Sequence, residues 1–433
     1  MRITRRRFVG AAVAGAAAAV LPRPAGAQGT NVWTTTGQAV SSLAAFDTAI
    51  QGVMQKWTIP GGAFALVVEG RLVYARGYGW APAGTAAPMP TSLFRIASLS
   101  KPITATALML LVQQGLLSLS DPIVQHLSLT PPPGASADPR LSQVTLLQTA
   151  QMTAGFPASD GSTADPMFSD QAIAQALNVP LPVTVPEIMQ WTTGRPLASA
   201  LGTAYSYSDY GYLLLGQVIQ AVSGMPYEQF VQQHVFAPIG VSGPQIGYPF
   251  QNEALPGEVT YDDGGVMRPT VYSSSGQLVP YPYGGFNIGN ASSAGGWVAS
   301  AVHLAKLAAS YDNPPPGWLT SASIQTMLAE PSLGADAQGF WYGIGWLTTK
   351  LANGNQISLH NGSLPGTTTI LERDISSGAS WALMFNARNE SDPFGSYTDA
   401  LNAVRGVIAQ TGPSAVPSGD LFPELLAAAP GSI

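Results

Sequence analysis

The sequence predicts an α+β protein: an antiparallel β-sheet flanked by helices, with a mostly helical domain inserted between the two parts of the chain that build the sheet. Two β-like stretches near the N-terminus, residues 62–68 and 71–78, flank Glu69-Gly70 and predict a β-hairpin. The middle of the chain has the apolar periodicity of helices. After residue 343 the pattern returns to strands, so both ends of the chain are expected to contribute to one sheet.

The first residues are typical of an export signal. Residues 4–9 read TRRRFV, an Ala/Val/Gly-rich run continues to Leu21, and Ala25-Gly26-Ala27 supplies a small-residue cleavage site. The apolar run is shorter than the ~20 residues that a membrane-spanning helix requires. We therefore expect residues 1–27 to be a twin-arginine signal peptide, and the mature protein to be periplasmic or secreted by a bacterium. The chain contains no cysteine, so its fold does not depend on disulfide bonds.

Charge and composition exclude several kinds of partner. Without the five arginines of residues 1–27, the 18 basic residues fall to 13 against 24 acidic ones, a net charge of −11. An acidic protein is repelled by nucleic acid and by anionic membrane surfaces, so neither is expected as a partner. No second stretch is long and apolar enough to span a membrane. His126, His234 and His303 stand without acids at ligand spacing, so the sequence predicts no metal site and no other cofactor.

The periodicity also places the individual elements. Helices are predicted over 41–57, from Ser98 to Gly115, and over 145–152, 210–223, 227–235, 300–311 and 396–409, and strands over 62–68, 71–78, 343–349, 356–359, 367–372 and 381–386. Residues 31–38 are expected to be extended, and residues 240–290, rich in Gly, Pro and Tyr, to form a long ordered excursion. We assign residues 28–120 and 290–433 to the sheet domain and residues 121–289 to the helical insertion.

The helix that begins near Ser98 carries the strongest chemical signal. Pro102 is tolerated only in the first turn of a helix, where its missing N–H removes no hydrogen bond, so the helix starts at or near Ser98. Ser98 and Lys101 then lie three residues apart on one face of the first turn. The helix N-terminus favours negative charge near the serine oxygen, and a lysine one turn further on can accept or share its proton. Lys101 is one of four lysines and opens an otherwise apolar helix, which favours a chemical role.

Two further motifs follow in the chain. Tyr207-Ser208-Asp209 precedes an apolar helix, and His360-Asn361-Gly362 stands at the predicted end of a strand. With Ser98-x-x-Lys101, the chain resembles the serine β-lactamase and penicillin-binding protein family, nearest to its class C, family VIII esterase and D-aminopeptidase branch. The motifs of that family, S-x-x-K, Y-x-N and K-T-G or H-x-G, occur in this order. The resemblance extends from about Phe46 to Ile408 and implies a β-lactamase/transpeptidase-like fold.

The resemblance also implies a catalytic role for each motif. Ser98 is expected to be the acylated nucleophile, with Lys101 and Tyr207 sharing the proton transfer. A tyrosine becomes a plausible base only beside a cation that stabilises its phenolate. The sequence therefore leaves open whether Lys101 or Tyr207 is the base. The backbone N–H groups of Ser98 and Ser363 are expected to form the oxyanion hole.

Substrate contacts are expected from the third motif and from one aromatic residue. We assign Asn361, Gly362 and Trp297 to substrate binding. Trp80 and Trp346 either line the same cleft or pack in the core, two alternatives that the sequence leaves open.

The chain departs from the family pattern at three positions. Asp209 stands where the family usually has asparagine; its carboxylate would hold Lys101 as an ammonium and would oppose phenolate formation at Tyr207, and the sequence leaves open which effect dominates. His360 replaces the lysine of the third motif, so we expect a weaker, pH-dependent positive charge there. The stretch beginning at Met152 reads Met-Thr-Ala-Gly where many relatives carry His-x-Ser-Gly, so no histidine acts from that loop.

These features predict an exported serine hydrolase that acts through an acyl-serine, foremost an esterase or amidase on small acyl substrates. A β-lactamase or a D-amino-acid peptidase (DD-carboxypeptidase) is the enzymatic alternative, and a penicillin-binding, sensor-like module that acylates without turnover is the alternative of another class. A histidine is mostly neutral at about pH 7.5, so we expect activity on neutral short-chain esters and weak cephalosporin hydrolysis whose KM improves toward about pH 6. Arg388 is the first alternative anchor for a substrate carboxylate.

Replacing the nucleophile provides the first test. We expect Ser98→Ala to abolish turnover and to prevent covalent labelling by phosphonate or β-lactam probes, because no other hydroxyl stands one turn before Lys101 at the helix start. Mass spectrometry of the labelled wild-type protein locates the adduct. An adduct on Ser100 or Ser363 would show that the assignment of Ser98 is wrong.

Overall fold

The computed structural model describes residues 19–20, 30–159, 165–352, 354, 356–374 and 378–433. The predicted signal peptide, residues 1–27, lies outside the described residues except for a two-residue strand, Ala19–Val20, which pairs with Val266–Pro269. Its function as an export signal stays a prediction.

The described residues form the following strands, numbered along the chain: β1 (Ala19–Val20), β2 (Asn31–Thr36), β3 (Gly61–Val68), β4 (Arg71–Pro82), β5 (Phe94–Arg95), β6 (Gln245–Ile246), β7 (Val266–Pro269), β8 (Leu278–Pro280), β9 (Trp297–Ala299), β10 (Phe340–Tyr342), β11 (Leu347–Lys350), β12 (Gln356–Leu364), β13 (Thr367–Asp374) and β14 (Ala379–Phe385). The α-helices are α1 (Ala44–Trp57), α2 (Ser100–Gln113), α3 (Leu146–Ala150), α4 (Asp170–Leu177), α5 (Val185–Thr193), α6 (Asp209–Ser223), α7 (Tyr227–Val231), α8 (Ala301–Ser310), α9 (Ser321–Leu328), α10 (Gly395–Ile408) and α11 (Phe422–Ala427).

Both ends of the chain build one eight-stranded antiparallel sheet. Its strand order is β10-β11-β12-β13-β14-β3-β4-β2. The N-terminal and C-terminal parts meet where β14 pairs with β3, from Ala379 opposite Val68 to Phe385 opposite Gly62. The hairpin β3–β4 turns at Glu69 and Gly70, which both have positive φ (50° and 78°), as a tight two-residue hairpin requires. The predicted α+β fold with an antiparallel sheet is confirmed.

Helices cover both faces of this sheet, because each face carries large apolar side chains that must be removed from water. On one face α1 and α10 pack together, and Phe46 of α1 stacks on Phe64 of β3 at 5.3 Å between ring centroids. Trp381 of β14 continues this cluster and is fully buried. On the other face α8 lies across β3 and β14.

Helix α2 lies in the interior of the molecule. Every residue from Ser100 to Leu111 is buried, which agrees with the lack of a polar face in its sequence. The helix packs against α6 and α9, so its first turn lies where the helical region meets the sheet. Helices α3 to α7 come from the predicted insertion, which supplies no strand of the eight-stranded sheet among the described residues. The boundaries at residues 120 and 290 stay predictions.

Residues 240–290 form an ordered excursion that is attached to the segment just before Ser98. Strand β5 pairs with β9, and β9 pairs with β6 of the excursion. The buried Arg95 of β5 donates to the carbonyl oxygens of Tyr248 (2.8 Å) and Pro282, and its guanidinium lies 4.7 Å from the centroid of the Tyr261 ring. The buried side chain of Arg95 therefore connects the excursion to the segment that leads into the turn at Ser98.

Two predicted strands near the third motif differ most from the structure. The strand predicted over 343–349 is correct only from Leu347, where β11 begins, because Gly343 to Trp346 form the turn between β10 and β11, closed by a hydrogen bond from Gly343 N to Trp346 O (2.8 Å). Gly345 in this turn has φ of +79°, and an added Cβ would come within 2.4 Å of the Ala105 Cβ. Strand β12 extends to Leu364 rather than ending at residue 359, since its pairing with β13 continues to Thr367.

Helices α9 and α11 were not predicted, and α4 and α5 were expected only through the helical pattern of the middle of the chain. Within the described residues, no helix combines the length and the hydropathy that crossing a membrane requires.

Candidate active site

The turn before α2 presents Ser98. Residues Ala97–Leu99 form a 3-10 turn that leads into α2 at Ser100, as Pro102 predicted. Ala97 has φ of 51°, a left-handed conformation that is strained for a residue with a Cβ. The turn is held by hydrogen bonds from Ile96 N to Trp297 O (2.9 Å) and from Ser100 Oγ to Ala97 O (2.7 Å). Ser98 is half-buried while its immediate neighbours are buried, so the backbone turn leaves this side chain as the accessible one.

Lys101 is fully buried, and its ammonium group connects three segments of the chain. Its Nζ donates to Ser98 Oγ (3.0 Å), Asp209 Oδ1 (2.5 Å) and the backbone oxygen of Ala294 (2.8 Å). The exposed fraction of its side chain is 0%, against 16% for Asp209. An ammonium has three N–H donors, and all three have an acceptor here. Lys101 is therefore positioned to exchange a proton with Ser98.

Tyr207 occupies the position beside both groups that its motif predicted. The Lys101 Nζ lies 4.8 Å from the centroid of the Tyr207 ring, close enough for a cation–π interaction. Burial, and then the negative charge of Asp209, raise the pKa of the Tyr207 hydroxyl well above its ordinary value, and a hydrogen bond with Ser98 lowers it. The structure thus brings the hydroxyls of Tyr207 and Ser98 together and keeps the tyrosine protonated at neutral pH.

Asp209 acts on both Lys101 and Tyr207. It begins α6, its own N–H donates to Ser159 Oγ (3.0 Å), and its carboxylate accepts from Lys101 Nζ (2.5 Å). Burial lowers the pKa of Lys101, and the charge and hydrogen bond of Asp209 offset part of that shift. Since Asp209 also opposes ionisation of Tyr207, both predicted effects operate at once.

Sequence reasoning missed a second carboxylate, Asp165. Its side chain caps the short 3-10 turn Pro166–Phe168, with Oδ1 accepting from Met167 N at 2.9 Å. Burial and the charge of Asp209 raise its pKa to about 7, while a hydrogen bond from Ser159 and the charge of Lys101 act in the opposite direction. An Asp-Pro pair in sequence predicts a helix cap. The sequence contains no pattern that distinguishes a helix-capping aspartate from one whose charge acts on Lys101.

His360 lies next to Tyr207, but its predicted pH-dependent charge is wrong. The residue is buried, with 3% of its surface exposed, and burial together with the charge of Lys101 lowers its pKa to about 3. Nδ1 lies 2.7 Å from the backbone oxygen of Asn361, which can only accept, so Nδ1 carries the proton. Nε2 then accepts from the hydroxyl of Tyr342 at 3.0 Å. The third motif therefore holds a neutral imidazole across the whole working range of pH.

Strand β12 brings the rest of the third motif against the Ser98 turn. Among the described residues β11 pairs with β12 only as far as Leu359, so the Ser98 turn contacts β12 beyond that point. Gly362 makes this approach possible, because an added Cβ would lie 2.2 Å from Thr369 Oγ1 and 2.4 Å from Ile96 O. Ser363 follows on the same strand, half-buried like Asn361. Its predicted role in the oxyanion hole stays a prediction, as does the substrate contact of Asn361.

Arg388 lies near the third motif with its charge already paired. Its Nη1 donates to Ser363 Oγ at 3.4 Å. Two further bonds, from Nε and Nη2 to the two carboxylate oxygens of Glu390 (2.7 and 2.6 Å), form a bidentate ion pair. The predicted alternative anchor for a substrate carboxylate is thus neutralised by Glu390.

The prediction that Trp297 contacts substrate is wrong. Trp297 is fully buried, its Nε1 donates to Tyr227 OH (3.1 Å), and its ring packs against those of Tyr227 and Phe236. Trp346 is also fully buried, against Tyr311. Both tryptophans therefore pack in the core. Trp297 is in β9, under the Ala97–Leu99 turn, and its side chain points into the core.

The loop that lacks the histidine of many relatives supports the second motif instead. Met152 Sδ accepts from Ser208 N at 3.3 Å, and Met152 O accepts from Ser206 N at 2.8 Å. Both contacts fix the backbone on either side of Tyr207.

No group of three or more His, Asp or Glu side chains within the described ranges could hold a metal ion.

Comparison with known proteins agrees with this arrangement. The family model described as Beta-lactamase matches residues 46–404. Protein flp of Staphylococcus aureus (strain MW2) is 26% identical over 227 residues, which is 52% of this chain and 43% of that protein. The D-alanyl-D-alanine-carboxypeptidase/endopeptidase AmpH of Escherichia coli (strain K12) is 28% identical over 184 residues, 42% of this chain and 44% of that protein. The matched part thus spans less than half the length of these curated relatives.

Solved structures share the fold. The D-amino acid amidase from Ochrobactrum anthropi SV3, complexed with D-phenylalanine, superposes with a TM-score of 0.61 at 23% identity, covering 83% of this chain and 99% of that one. The octameric penicillin-binding protein homologue from Pyrococcus abyssi superposes with a TM-score of 0.60 at 23% identity, covering 83% and 77%. The predicted β-lactamase/transpeptidase-like fold is confirmed.

A substitution at Gly362 tests whether β12 must touch the Ser98 turn. We expect Gly362→Ala to lower kcat/KM at least ~10²-fold, the scale of losing an oxyanion-hole donor, because the new Cβ forces β12 away from Ile96 and Thr369. Gly406→Ala is the matched control, since no atom lies within 4 Å of its added Cβ, and we expect it to retain full activity. Wild-type kinetics in a folded Gly362→Ala protein would contradict the proposed positioning.

Proposed function

The chain belongs to the beta-lactamase family, a family of serine hydrolases, and we propose that it is an exported hydrolase that forms an acyl-enzyme on Ser98 with small neutral esters or amides. The observation that carries this proposal is the 3.0 Å hydrogen bond between Ser98 Oγ and Lys101 Nζ. A serine becomes a nucleophile when a group within hydrogen-bond reach can take its proton, and here Lys101 and Tyr207 are both in reach.

The chemistry follows from these contacts. The step uses the form of the enzyme in which Lys101 is a neutral amine, a form that burial favours by lowering the pKa of Lys101. The Ser98 oxygen attacks the acyl carbon while its proton passes to that amine, either directly or through the Tyr207 hydroxyl, which gives its own proton to Lys101 as it receives the one from Ser98. The leaving alcohol or amine departs with a proton returned by the same pair, and water then releases the acyl group by the reverse sequence. Ser98 and Ser363 are the proposed N–H donors to the oxyanion, on the turn and the strand that Gly362 allows to meet.

Charge near the site favours neutral substrates. His360 is neutral because its pKa is about 3, and Lys101 is fully buried and bonded to Asp209. Arg388 is in a bidentate pair with Glu390. Each of these three candidate cations is therefore neutral or neutralised, so a substrate carboxylate gains little from any of them, whereas a neutral ester loses nothing. This supports an esterase or amidase over an enzyme that requires a carboxylate.

Two alternatives have their own support. A D-amino-acid peptidase is favoured by the similarity to AmpH, a D-alanyl-D-alanine carboxypeptidase and endopeptidase. A module that acylates without turnover would use the same Ser98, Lys101 and Tyr207. One acyl group per protein in a pre-steady-state burst, with no later product, identifies that module.

Export rests on residues 4–27, and the periplasmic and cytoplasmic fractions of cells that carry Arg5→Lys with Arg6→Lys test it.

The substrate proposal is tested with a panel of nitrophenyl esters, a chromogenic cephalosporin and D-alanyl amides. We expect the short neutral esters to give the highest kcat/KM. Because His360 has a pKa of about 3 and stays neutral from pH 6 to 8, the ratio of kcat/KM for the cephalosporin to that for the ester should stay constant within about twofold over this range. This replaces the improvement toward pH 6 that the sequence had predicted.

His360→Gln is the control for that measurement, since it removes the ionisable ring and keeps a polar side chain. We expect the same flat ratio in this variant. A ratio that rises tenfold toward pH 6 in the wild type and stays flat in His360→Gln would show that His360 does become charged at the site.

The sharing of one proton between Lys101 and Tyr207 is tested by a double-mutant cycle. We expect Lys101→Ala and Tyr207→Phe each to lower kcat at least ~10²-fold, the scale of losing general-base help. The double variant should be little worse than the worse single variant, because both side chains act on the proton of Ser98. Near-wild-type turnover in Tyr207→Phe would assign the proton transfer to Lys101 alone.

A further inference from the structure

Four aromatic side chains form one continuous cluster in the candidate active site. The ring of Tyr342, on β10, meets those of Tyr207 and His360 edge to face, with ring centroids 6.3 and 5.8 Å apart. The Tyr205 ring also packs on Tyr342, at 5.9 Å, and the Tyr207 and His360 rings are 6.4 Å apart. We call Tyr205, Tyr207, Tyr342 and His360 the aromatic wall.

The aromatic wall extends from the nucleophile to the protein surface. At one end, Lys101 Nζ lies 4.8 Å from the centroid of the Tyr207 ring and 3.0 Å from Ser98 Oγ. At the other end, 41% of Tyr205 is exposed, whereas Tyr342 between the two is buried. A single exposed tyrosine on a protein surface is ordinary. Tyr205 differs because its ring continues a buried cluster that ends at the catalytic groups.

The backbone places Tyr205 and Tyr207 on the same side of their segment. Ser206 N donates to Met152 O at 2.8 Å, and Ser208 N donates to Met152 Sδ at 3.3 Å. Donors two residues apart that face the same partner are typical of extended chain, in which alternate side chains point the same way. Two extended residues advance about 7 Å, so the exposed ring lies about one aromatic ring beyond the catalytic tyrosine.

The polar hydrogens of the two buried rings are used inside the protein. His360 Nδ1 donates to the backbone oxygen of Asn361 (2.7 Å), and His360 Nε2 accepts from the Tyr342 hydroxyl (3.0 Å). Neither ring therefore has a hydrogen left to donate to a substrate. A polar group laid against these rings would lose its water and gain no donor, whereas an apolar ring would pack on them favourably.

The position of Tyr207 indicates which part of the substrate meets the aromatic wall. In the proposed mechanism Tyr207 and Lys101 return the proton to the leaving group, so the leaving oxygen must lie beside Tyr207. We propose that the aromatic wall binds the leaving group of the substrate, that the preferred leaving groups are apolar and carry an aryl ring, and that Tyr205 determines this preference. This inference rests on the proposed function, since it assigns Tyr207 to the leaving group.

Two isomeric neutral esters test the proposal. Benzyl acetate carries its phenyl ring on the leaving group, methyl phenylacetate carries it on the acyl group, and ethyl acetate is the reference without a ring. We expect Tyr205→Ser to lower the ratio of kcat/KM for benzyl acetate to that for ethyl acetate about fivefold or more, the scale of losing an aromatic contact. Tyr205→Phe keeps the ring, so it should retain the wild-type ratio within about twofold. The ratio for methyl phenylacetate should stay within about twofold in both variants, since its ring lies on the acyl side.

Leu116→Ser is the matched control, because it also replaces an exposed apolar side chain by serine. Leu116 is 55% exposed and follows the end of α2, whose 14 residues place it about 20 Å from the catalytic turn. We expect all three esters to be hydrolysed by this variant as by the wild type. A benzyl acetate ratio that is unchanged in Tyr205→Ser, or a loss confined to methyl phenylacetate, overturns the proposal.

A binding measurement separates this inference from the proposed function. Ser98→Ala cannot be acylated, so NMR titration with benzyl acetate gives a Kd without turnover. We expect this Kd to be about fivefold or more higher when Tyr205→Ser is added to Ser98→Ala, and unchanged when Leu116→Ser is added. A wild type that hydrolyses none of the three esters contradicts the proposed function, while the titration still decides whether the aromatic wall binds an aryl ring. Equal Kd values with and without Tyr205→Ser overturn the inference.

Discussion

The buried ammonium of Lys101 is the interaction on which the rest of the site depends. Its three donors reach Ser98 on the turn before α2, Asp209 at the start of α6 and the carbonyl of Ala294 just before β9. An uncompensated charge at this depth would destabilise the fold by about several kcal/mol, so the fold is stable only when all three segments are in place. The contacts that stabilise the Lys101 ammonium therefore also bring together Ser98, Asp209 and the segment that carries Ala294.

The surrounding fold provides the close contacts that this assembly needs. Helix α2 is buried on every side, so its first turn is fixed by packing as well as by its strained residue Ala97. On the opposite side, β12 continues past the end of β11 and reaches the catalytic turn because Gly362 has no side chain. Arg95, ahead of the turn, attaches the excursion over residues 240–290. The contacts of Gly362 and of Arg95 each join segments that are far apart in sequence.

The electrostatics of the site differ from what a count of basic residues suggests. Lys101, His360 and Arg388 all lie near the third motif or the nucleophile, yet burial neutralises His360 and acidic partners neutralise the other two. Burial lowers the pKa of Lys101, and the charges of two carboxylates, Asp209 and Asp165, act in the opposite direction. The charge state of the groups around Ser98 is thus set by burial and by ion pairing together.

The sequence by itself determined the elements whose causes are local. Pro102 located the start of α2, Glu69-Gly70 located the hairpin, and the order of the three motifs identified the family and the residues Ser98, Lys101 and Tyr207. These features depend on backbone chemistry within a few residues or on a fixed spacing along one helix. The turn at Gly343 to Trp346 was missed because the need for Gly345 arises from Ala105, a residue on a distant helix.

Only the tertiary structure decided the environments. Trp297 could have lined a cleft or filled the core, and the packing of Tyr227 and Phe236 around it assigned it to the core. His360 has an ordinary pKa in sequence and a pKa of about 3 in the fold, because burial and the charge of Lys101 act only once the chain has folded. Asp165 is a helix cap in sequence, and in the fold its charge acts on Lys101. Residue type and spacing are properties of the chain, whereas desolvation and the approach of distant charges exist only in the folded protein.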